Sequence, residues 1–205
     1  LEGVQTHGST PWTGVDPIVT ASQIINNIQT IVSRNLPLTE AGAVVTIGSI
    51  HGGVRSNIIP ESLYMLGTIR TLDKTMKATV LKRLEEIVYN TAKANNAKAK
   101  ITYQVSYPIT YNDPNLYENM LPSLKRINGA NNVHLMNAIT GAEDFSFFQK
   151  EIPGMYFFIG GAKKGTDPKK AAPHHTPDFY VDDSAMITGV KSMSTLALDY
   201  LTNTK

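Results

Sequence analysis

The chain has no cysteine in its 205 residues, which excludes disulfides and thiolate metal sites but says nothing of compartment. Net charge is also slight. Nineteen Lys and Arg against seventeen Asp and Glu leave +2, too little to suggest a nucleic-acid partner. The densest basic run, Lys163-Lys164 and Lys169-Lys170, brackets Gly165-Thr166-Asp167-Pro168 and reads as a solvated loop. No run approaches the roughly 18 apolar residues of a membrane-spanning helix, so no membrane partner is expected. The first residue is Leu1 and no basic-then-apolar leader follows, so the native N-terminus is expected to lie outside this stretch. A cytoplasmic setting is the default expectation. What the chain does have is 41% hydrophobic and 8% aromatic residues, enough to build a core in one large domain or two small ones.

Residues 2–6 read as a short strand running into a turn, His7-Gly8-Ser9-Thr10-Pro11-Trp12. A helix is expected over 16–34. Asp16 suits the N-cap and Pro17 the first helical position, and Ile18, Ala21, Ile24, Ile25, Ile28, Ile31 and Val32 repeat at the spacing of one buried stripe. Residues 43–50 and 63–71 are rich in β-branched side chains at alternate positions and read as strands. Asp73 caps a second helix with Met76, Val80, Leu81, Leu84, Ile87 and Val88 on one face, fraying at Ala94-Asn95-Asn96. Over 99–107, Ala99, Ile101, Tyr103, Val105 and Tyr107 alternate with polar residues, the pattern of a half-buried strand. The order βαββαβ is that of a ferredoxin-like fold, two helices covering one face of a four-stranded antiparallel sheet.

Asn112-Asp113-Pro114 is a turn signal and divides the chain into residues 1–110 and 111–205. Beyond it a helix is expected near 114–127, a short strand at 133–136, a helix seeded at 141–145 and a buried strand at 154–159 that ends in Gly160-Gly161. After the lysine loop, Pro173-His174-His175-Thr176-Pro177 precedes a final helix over 183–202. Alternating short strands and helices suit an α/β layer. Two strands make a thin sheet, part of a larger one.

Few side chains stand out chemically. His175 follows a loop leaving a buried strand, where α/β sheets hold ligands, and a neutral imidazole there suits zinc. A loop histidine bonded to a carbonyl would look the same. Glu143-Asp144 opens a helix: the pair either complements the helix dipole or supplies a carboxylate to a pocket. Arg70 ends an otherwise apolar strand, either pointing to water or forking onto a carboxylate. Asn57, just before the second strand, is a turn former or an amide donor. With His7, Asn57 and Arg70 form a donor set suited to a carboxylate or an oxyanion. A nucleophile elbow, a phosphate loop and a dinucleotide fingerprint are all missing.

Five runs in register resemble the M20 family of metal-dependent peptidases, most closely its N-acyl-amino-acid amidohydrolase branch. They are Gln5-Thr6-His7-Gly8-Ser9-Thr10-Pro11-Trp12 with Gly14-Val15-Asp16-Pro17-Ile18; Gly48-Ser49-Ile50-His51-Gly52-Gly53 through Asn57-Ile58-Ile59-Pro60; Gly67-Thr68-Ile69-Arg70-Thr71; Gly141-Ala142-Glu143-Asp144-Phe145; and His175-Thr176-Pro177-Asp178-Phe179. The resemblance implies that residues 1–110 are a ferredoxin-like lid through which two copies dimerise. Residues 111–205 would be the C-terminal portion of a zinc-peptidase-like α/β catalytic domain. It also implies hydrolysis of an N-acyl amino acid amide by two divalent metals, zinc or manganese, that activate a water. His175 is then the last metal ligand, His7 the oxyanion donor that reaches a neighbouring subunit, and Asn57, Arg70 and Glu143 substrate-binding residues. The family's N-terminal half should carry the other ligands and the general-base glutamate, and none of it precedes His7. At most a partial metal site is therefore expected, with no hydrolysis by this chain alone. A non-catalytic binding or dimerisation module, or an aminopeptidase or dipeptidase of the same superfamily, are the alternatives.

Overall fold

Asp16 stands at the head of α1 (Pro17–Asn35), where its Oδ1 accepts the N–H groups of Ile18 and Val19 at 2.8 and 3.1 Å. Asp73 does the same for α2 (Lys74–Ala94), accepting from Met76 N–H at 2.7 Å. Asp113, followed by Pro114, caps α3 (Pro114–Asn128) through Leu116 N–H. Each cap satisfies amides that no helical carbonyl can reach. The computed structural model describes residues 1–104, 107–167 and 170–203.

Contacts divide the chain into two compact units: Leu1–Ile109 with Ala138–Gly141, and Thr110–Asn137 with Ala142–Lys205. Unit 1 contains β1 (Thr6–His7), α1, β2 (Ala43–Gly52), β3 (Ile58–Ile59), β4 (Leu63–Thr71) and α2 in chain order. β2 and β4 pair antiparallel, Ala43 opposite Thr71 and Gly52 opposite Leu63, with Gly48 accommodated as an extra residue between Ile47 and Ser49. Ile24, Ile28 and Ile31 of α1, Val80 and Val88 of α2 and Val45 of β2 form the buried cluster, flanked by Leu1, Ile47, Met65, Ile69, Ala99 and Ile101. The helical stripe is thus buried as its spacing predicts, except at Ile18 in the first turn, which is 45% exposed.

The sheet is less complete than the expected four strands. β1 pairs only with β3, and residues 1–4 are joined to their neighbours by isolated bridges, Glu2 to Ser62 and Lys98, and Val4 to Val15. The strand expected at 99–107 is not formed among the described residues; Val105 and Ser106 lie outside them. Alternation of apolar residues decides which face is buried, but a strand also needs a neighbour for its backbone groups.

Unit 2 contains α3, α4 (Phe145–Glu151) and α5 (Ser184–Asn203). α3 buries Met120 and Leu124. Toward α5, the Ser123 hydroxyl and the Arg126 guanidinium both donate to the Asp199 carboxylate, and Asn128 Nδ2 donates to Ser192 Oγ at 3.0 Å. The opposite side of α5 leaves Met186, Ile187, Val190, Met193, Leu198 and Leu201 between 60 and 67% exposed. The strands expected at 133–136 and 154–159 form no ladder among the described residues. Instead, a side chain holds the second segment. Asn112 Oδ1 accepts from Tyr156 N–H at 2.7 Å, and Asn112 Nδ2 donates to Tyr156 O at 2.8 Å. Pro168 and Lys169 of the lysine loop lie outside the described residues.

Candidate functional site

The His7 turn is built from small residues and hydroxyls. His7 lies opposite Ile58 in the β1–β3 ladder, and the Gly8 N–H donates to Asn57 O at 2.7 Å. A β-carbon on Gly8 would stand 3.2 Å from that oxygen, a tight contact that would push the two backbones a few tenths of an ångström apart. The His7 carbonyl accepts from Thr10 N–H at 2.9 Å, and Thr13 Oγ1 donates to Thr10 O at 2.8 Å. These bonds bring His7 and Asn57 together at one tip of unit 1, both exposed.

The ring orientation of His7 follows from its neighbours. Ser9 N–H donates to Nδ1 at 3.1 Å, and Ser9 Oγ lies 2.7 Å from the same nitrogen. A backbone N–H can only donate, so Nδ1 carries no proton and the neutral ring holds it on Nε2. The tip therefore offers an imidazole Nε2–H and the Asn57 amide, two neutral donors of the kind that stabilise a developing oxyanion.

Arg70 is placed apart from that pair. It lies on β4 opposite Val44, seven residues past Leu63, about 23 Å of strand at the usual rise. No hydrogen bond joins it to His7 or Asn57. Leu63, Met65 and Ile69 turn to the helices, so by alternation Tyr64, Leu66, Thr68 and Arg70 share the open face. His51 stacks on Tyr64 there, ring centroids 4.8 Å apart. Among the described residues the half-buried Arg70 guanidinium has no hydrogen-bond or ion-pair partner, which leaves its five donors available.

In unit 2, Glu143 precedes α4 and its carbonyl accepts from the N–H and the hydroxyl of Ser146. Asp144 makes no side-chain cap. The Glu143 carboxylate is engaged with the Tyr156 phenol, whose pKa is raised above 10.0, first by burial and then by its hydrogen bond to Glu143 and the charges of Glu143 and Asp144. His175 is exposed and adopts a left-handed backbone, φ 65°, a conformation uncommon for a residue bearing a β-carbon. Its turn is held by Thr176 Oγ1 donating to Pro173 O at 2.8 Å and by Phe179 N–H donating to Thr176 O at 3.1 Å. His174 packs edge-on against Phe179, centroids 4.7 Å apart. Among the described residues no group of three His, Cys, Asp or Glu side chains converges as a metal ion would require.

Several features escaped sequence reasoning. Tyr156 stands thirteen residues from Glu143, and no spacing signals their pairing. Trp12 is 79% exposed beside the His7 turn and Val54 is 97% exposed in the loop before Asn57; the single tryptophan of the chain was a signal for the former. A shallow cleft of about 380 Å³ along α1 and α2, lined by Asn27, Thr30, Arg83, Glu86 and Asn90 among others, contains none of the five candidates.

Residues 1–96 match the peptidase dimerisation domain of M20 enzymes. The chain belongs to the M20 peptidase family. Among its M20 relatives, the N-acetyldiaminopimelate deacetylase of Bacillus velezensis is 35% identical over 94% of this chain and 49% of its own length. The thermostable carboxypeptidase 2 of Saccharolobus solfataricus is 33% identical over 98% and 50%. The IAA-amino acid hydrolase ILR1-like 4 of Arabidopsis thaliana is 31% identical over 100% and 47%. The M20 chain described here thus spans about half the length of the curated relatives it matches. A crystal structure from methicillin-resistant Staphylococcus aureus, assigned as an aminohydrolase, superposes with a TM-score of 0.84 at 31% identity, covering 98% of this chain and 50% of that one. A dinuclear metal-binding M20 peptidase of Bacillus subtilis superposes at 0.64 and 25%, covering 95% and 48%. Divalent metals are thus a property of the family.

Proposed function

We propose that the whole protein is a metal-dependent M20 amidohydrolase that cleaves the amide of an N-acyl amino acid or a similar small conjugate. Residues 1–110 serve as its dimerisation lid, and residues 111–205 form the C-terminal portion of its catalytic domain. The His7 tip is the observation that carries this. His7 donates its Nε2–H to the oxygen that gains charge as the amide carbonyl is attacked, and Asn57 supplies a neighbouring donor. Two copies pair through the lid, so that His7 serves the partner's substrate. Arg70, with no partner among the described residues, takes the substrate carboxylate in a two-pronged hydrogen bond. Glu143 lines the substrate pocket together with Tyr156.

The residues described here do not fit a whole dinuclear metal centre. His175 would donate one imidazole to it, zinc or manganese, and the other ligands would come from outside this chain. The chain alone should therefore release no amino acid from such substrates. Two relatives, the N-acetyldiaminopimelate deacetylase and the IAA-amino acid hydrolase, support the acylated substrate. A carboxypeptidase among the relatives keeps peptides as a second substrate class, because a peptide also ends in the carboxylate Arg70 would hold.

The test is a kinetic comparison in the whole protein, with N-acetyl and larger N-acyl amino acids set against dipeptides. His7→Ala should lower kcat by about 10²–10³, the usual loss of one oxyanion donor, with little change in KM. A His7→Ala enzyme with normal kcat would remove the assignment.

A further inference from the structure

The ring of His7 is held by its own turn. Thr10 N–H donates to His7 O at 2.9 Å and closes four residues with Gly8 and Ser9 at the centre. Farther along, Thr13 donates to Thr10 O through its N–H at 3.0 Å and its hydroxyl at 2.8 Å, which pins the turn in place. In such turns the amide of the third residue lacks a backbone acceptor, and a side chain two residues earlier, ordinarily Asp or Asn, accepts from it. Here that side chain is His7, whose Nδ1 takes the Ser9 N–H at 3.1 Å. The Ser9 hydroxyl reaches the same nitrogen at 2.7 Å. One residue thus brings two groups to one nitrogen of the ring.

The direction of both bonds is fixed by the first. A backbone N–H can only donate, so Nδ1 is an acceptor and the hydroxyl, facing the same lone pair, is a donor too. Three consequences follow for the other side of the ring. Nε2 carries the proton and points away from the turn, and among the described residues it meets no partner. Hydrogen bonds in a chain polarise one another, so two donors on Nδ1 draw charge from the ring and make Nε2–H the stronger donor. Neither nitrogen is left to take a proton. This is the reverse of a histidine whose Nδ1–H is held by a carboxylate, where Nε2 becomes the base.

We infer that Ser9 is a positioning residue: its hydroxyl on Nδ1 keeps the His7 proton on Nε2 and aims it outward, which makes His7 a hydrogen-bond donor and bars it from acting as a base. A serine hydroxyl beside an imidazole also has the outline of an activated nucleophile. The geometry argues against that reading, because the nitrogen that would take the Ser9 proton already accepts the Ser9 amide. The state of the ring is a property of unit 1. Its effect on turnover rests on the assignment of His7 as the oxyanion donor.

Two measurements test the inference, one for each of these. In the 205-residue chain, two-bond proton–nitrogen correlation spectra of the five imidazoles show which nitrogen holds the proton, with the His7 signals assigned by their loss in His7→Gln. The spectra are taken under mildly alkaline conditions, where a free imidazole is uncharged. The parent ring should carry its proton on Nε2. In Ser9→Ala the ratio of the Nε2–H to the Nδ1–H form should fall about fivefold, the effect of one net hydrogen bond. Ser9→Thr, which restores the hydroxyl, should return it to within about twofold of the parent. An unchanged ratio in Ser9→Ala would overturn the inference, and so would a parent proton on Nδ1. An equal fall in Ser9→Thr would assign the effect to the turn and overturn it as well.

In the whole protein, Ser9→Ala should lower kcat for an N-acetyl amino acid about fivefold with KM kept, and should add nothing to His7→Ala. If Ser9→Ala slows the His7→Ala enzyme by the same factor, Ser9 acts without the ring and the inference falls. A normal kcat in His7→Ala would instead remove the oxyanion assignment, and the proton ratio in the 205-residue chain would still decide the role of Ser9.

Discussion

Replacing Ile28 by alanine should destabilise unit 1 by about 3 kcal/mol, whereas the same change at Ile18 should cost under about 1 kcal/mol. Both residues lie on the apolar stripe of α1, and the sequence alone treats them alike. The structure separates them: Ile28 is 0% exposed and Ile18 is 45% exposed. Removing three carbons from a fully buried site forfeits about 2.4 kcal/mol of transfer free energy, at about 0.8 per carbon. The cavity left among Ile24, Ile31, Val80 and Val88 adds on the order of 1 kcal/mol. Alanine returns about 0.4 kcal/mol through its better helix propensity. At Ile18 the transfer loss is about halved and no closed cavity forms, so propensity cancels a good part of what remains. Urea unfolding followed by far-UV circular dichroism measures both variants against the parent chain. A difference between them of less than about 1 kcal/mol would refute the packing of α1 described above, since domain stabilities are only about 5–15 kcal/mol in all.

Other expectations are as direct. In the whole protein Arg70→Ala should raise KM for carboxylate-bearing substrates with kcat nearly kept, provided it binds ground and transition states alike; an unchanged KM in a folded variant removes the carboxylate anchor. Asp73→Ala should cost about 1 kcal/mol by freeing the Met76 amide, readable in the same unfolding assay. Burial, then the charge of Glu85 and the hydrogen bond to it, push the Tyr103 phenol up to about 12 from 10.0. The folded state therefore holds that proton longer than the unfolded chain, so its contribution is whole below pH 10 and is lost as pH rises through about 12. Tyr103→Phe should flatten this alkaline limb, and an identical limb in the variant would count against the pairing. Asp199 is held below its ordinary carboxylate range, first by the Ser123 hydroxyl and next by Arg126. The α3–α5 contact should then keep its contribution above the usual aspartate pKa and lose it as pH falls through the lowered value, a loss that Asp199→Asn should abolish in an acid titration.

Much of the helical framework was legible because its signals are local. Asp16-Pro17, Asp73 and Asp113-Pro114 mark helix starts through bonds made within three residues, and the structure makes them. β2 and β4 were legible for a similar reason, since their alternation coincides with a real partner. Residues 99–104 show equally good alternation yet form no strand, as do the apolar runs 133–136 and 154–159. Whether an extended segment becomes a strand is decided by a neighbour that its own residues do not encode. The candidate site divides along the same line. His7 and Asn57 meet because a local ladder and Gly8 bring them together, while Arg70 stands farther along β4, a separation invisible without the register. His175 could be selected by residue type, but its left-handed backbone could not, because the usual sequence sign of that conformation is glycine or asparagine.

Asn112 has a consequence for association. By exchanging two hydrogen bonds with Tyr156, its side-chain amide occupies the backbone groups that the 154–159 segment would otherwise present along one side. Exposed strand edges invite pairing with other chains and seed aggregation. The Asn112 amide blunts this one at its midpoint, and the Asp113 N–H on Gly154 O at 3.1 Å adds to it, so the opposite side of the segment is the more open to a partner strand. Loss of the amide, as in Asn112→Ala, would open the guarded side as well and turn a one-sided segment into a template for growth in both directions.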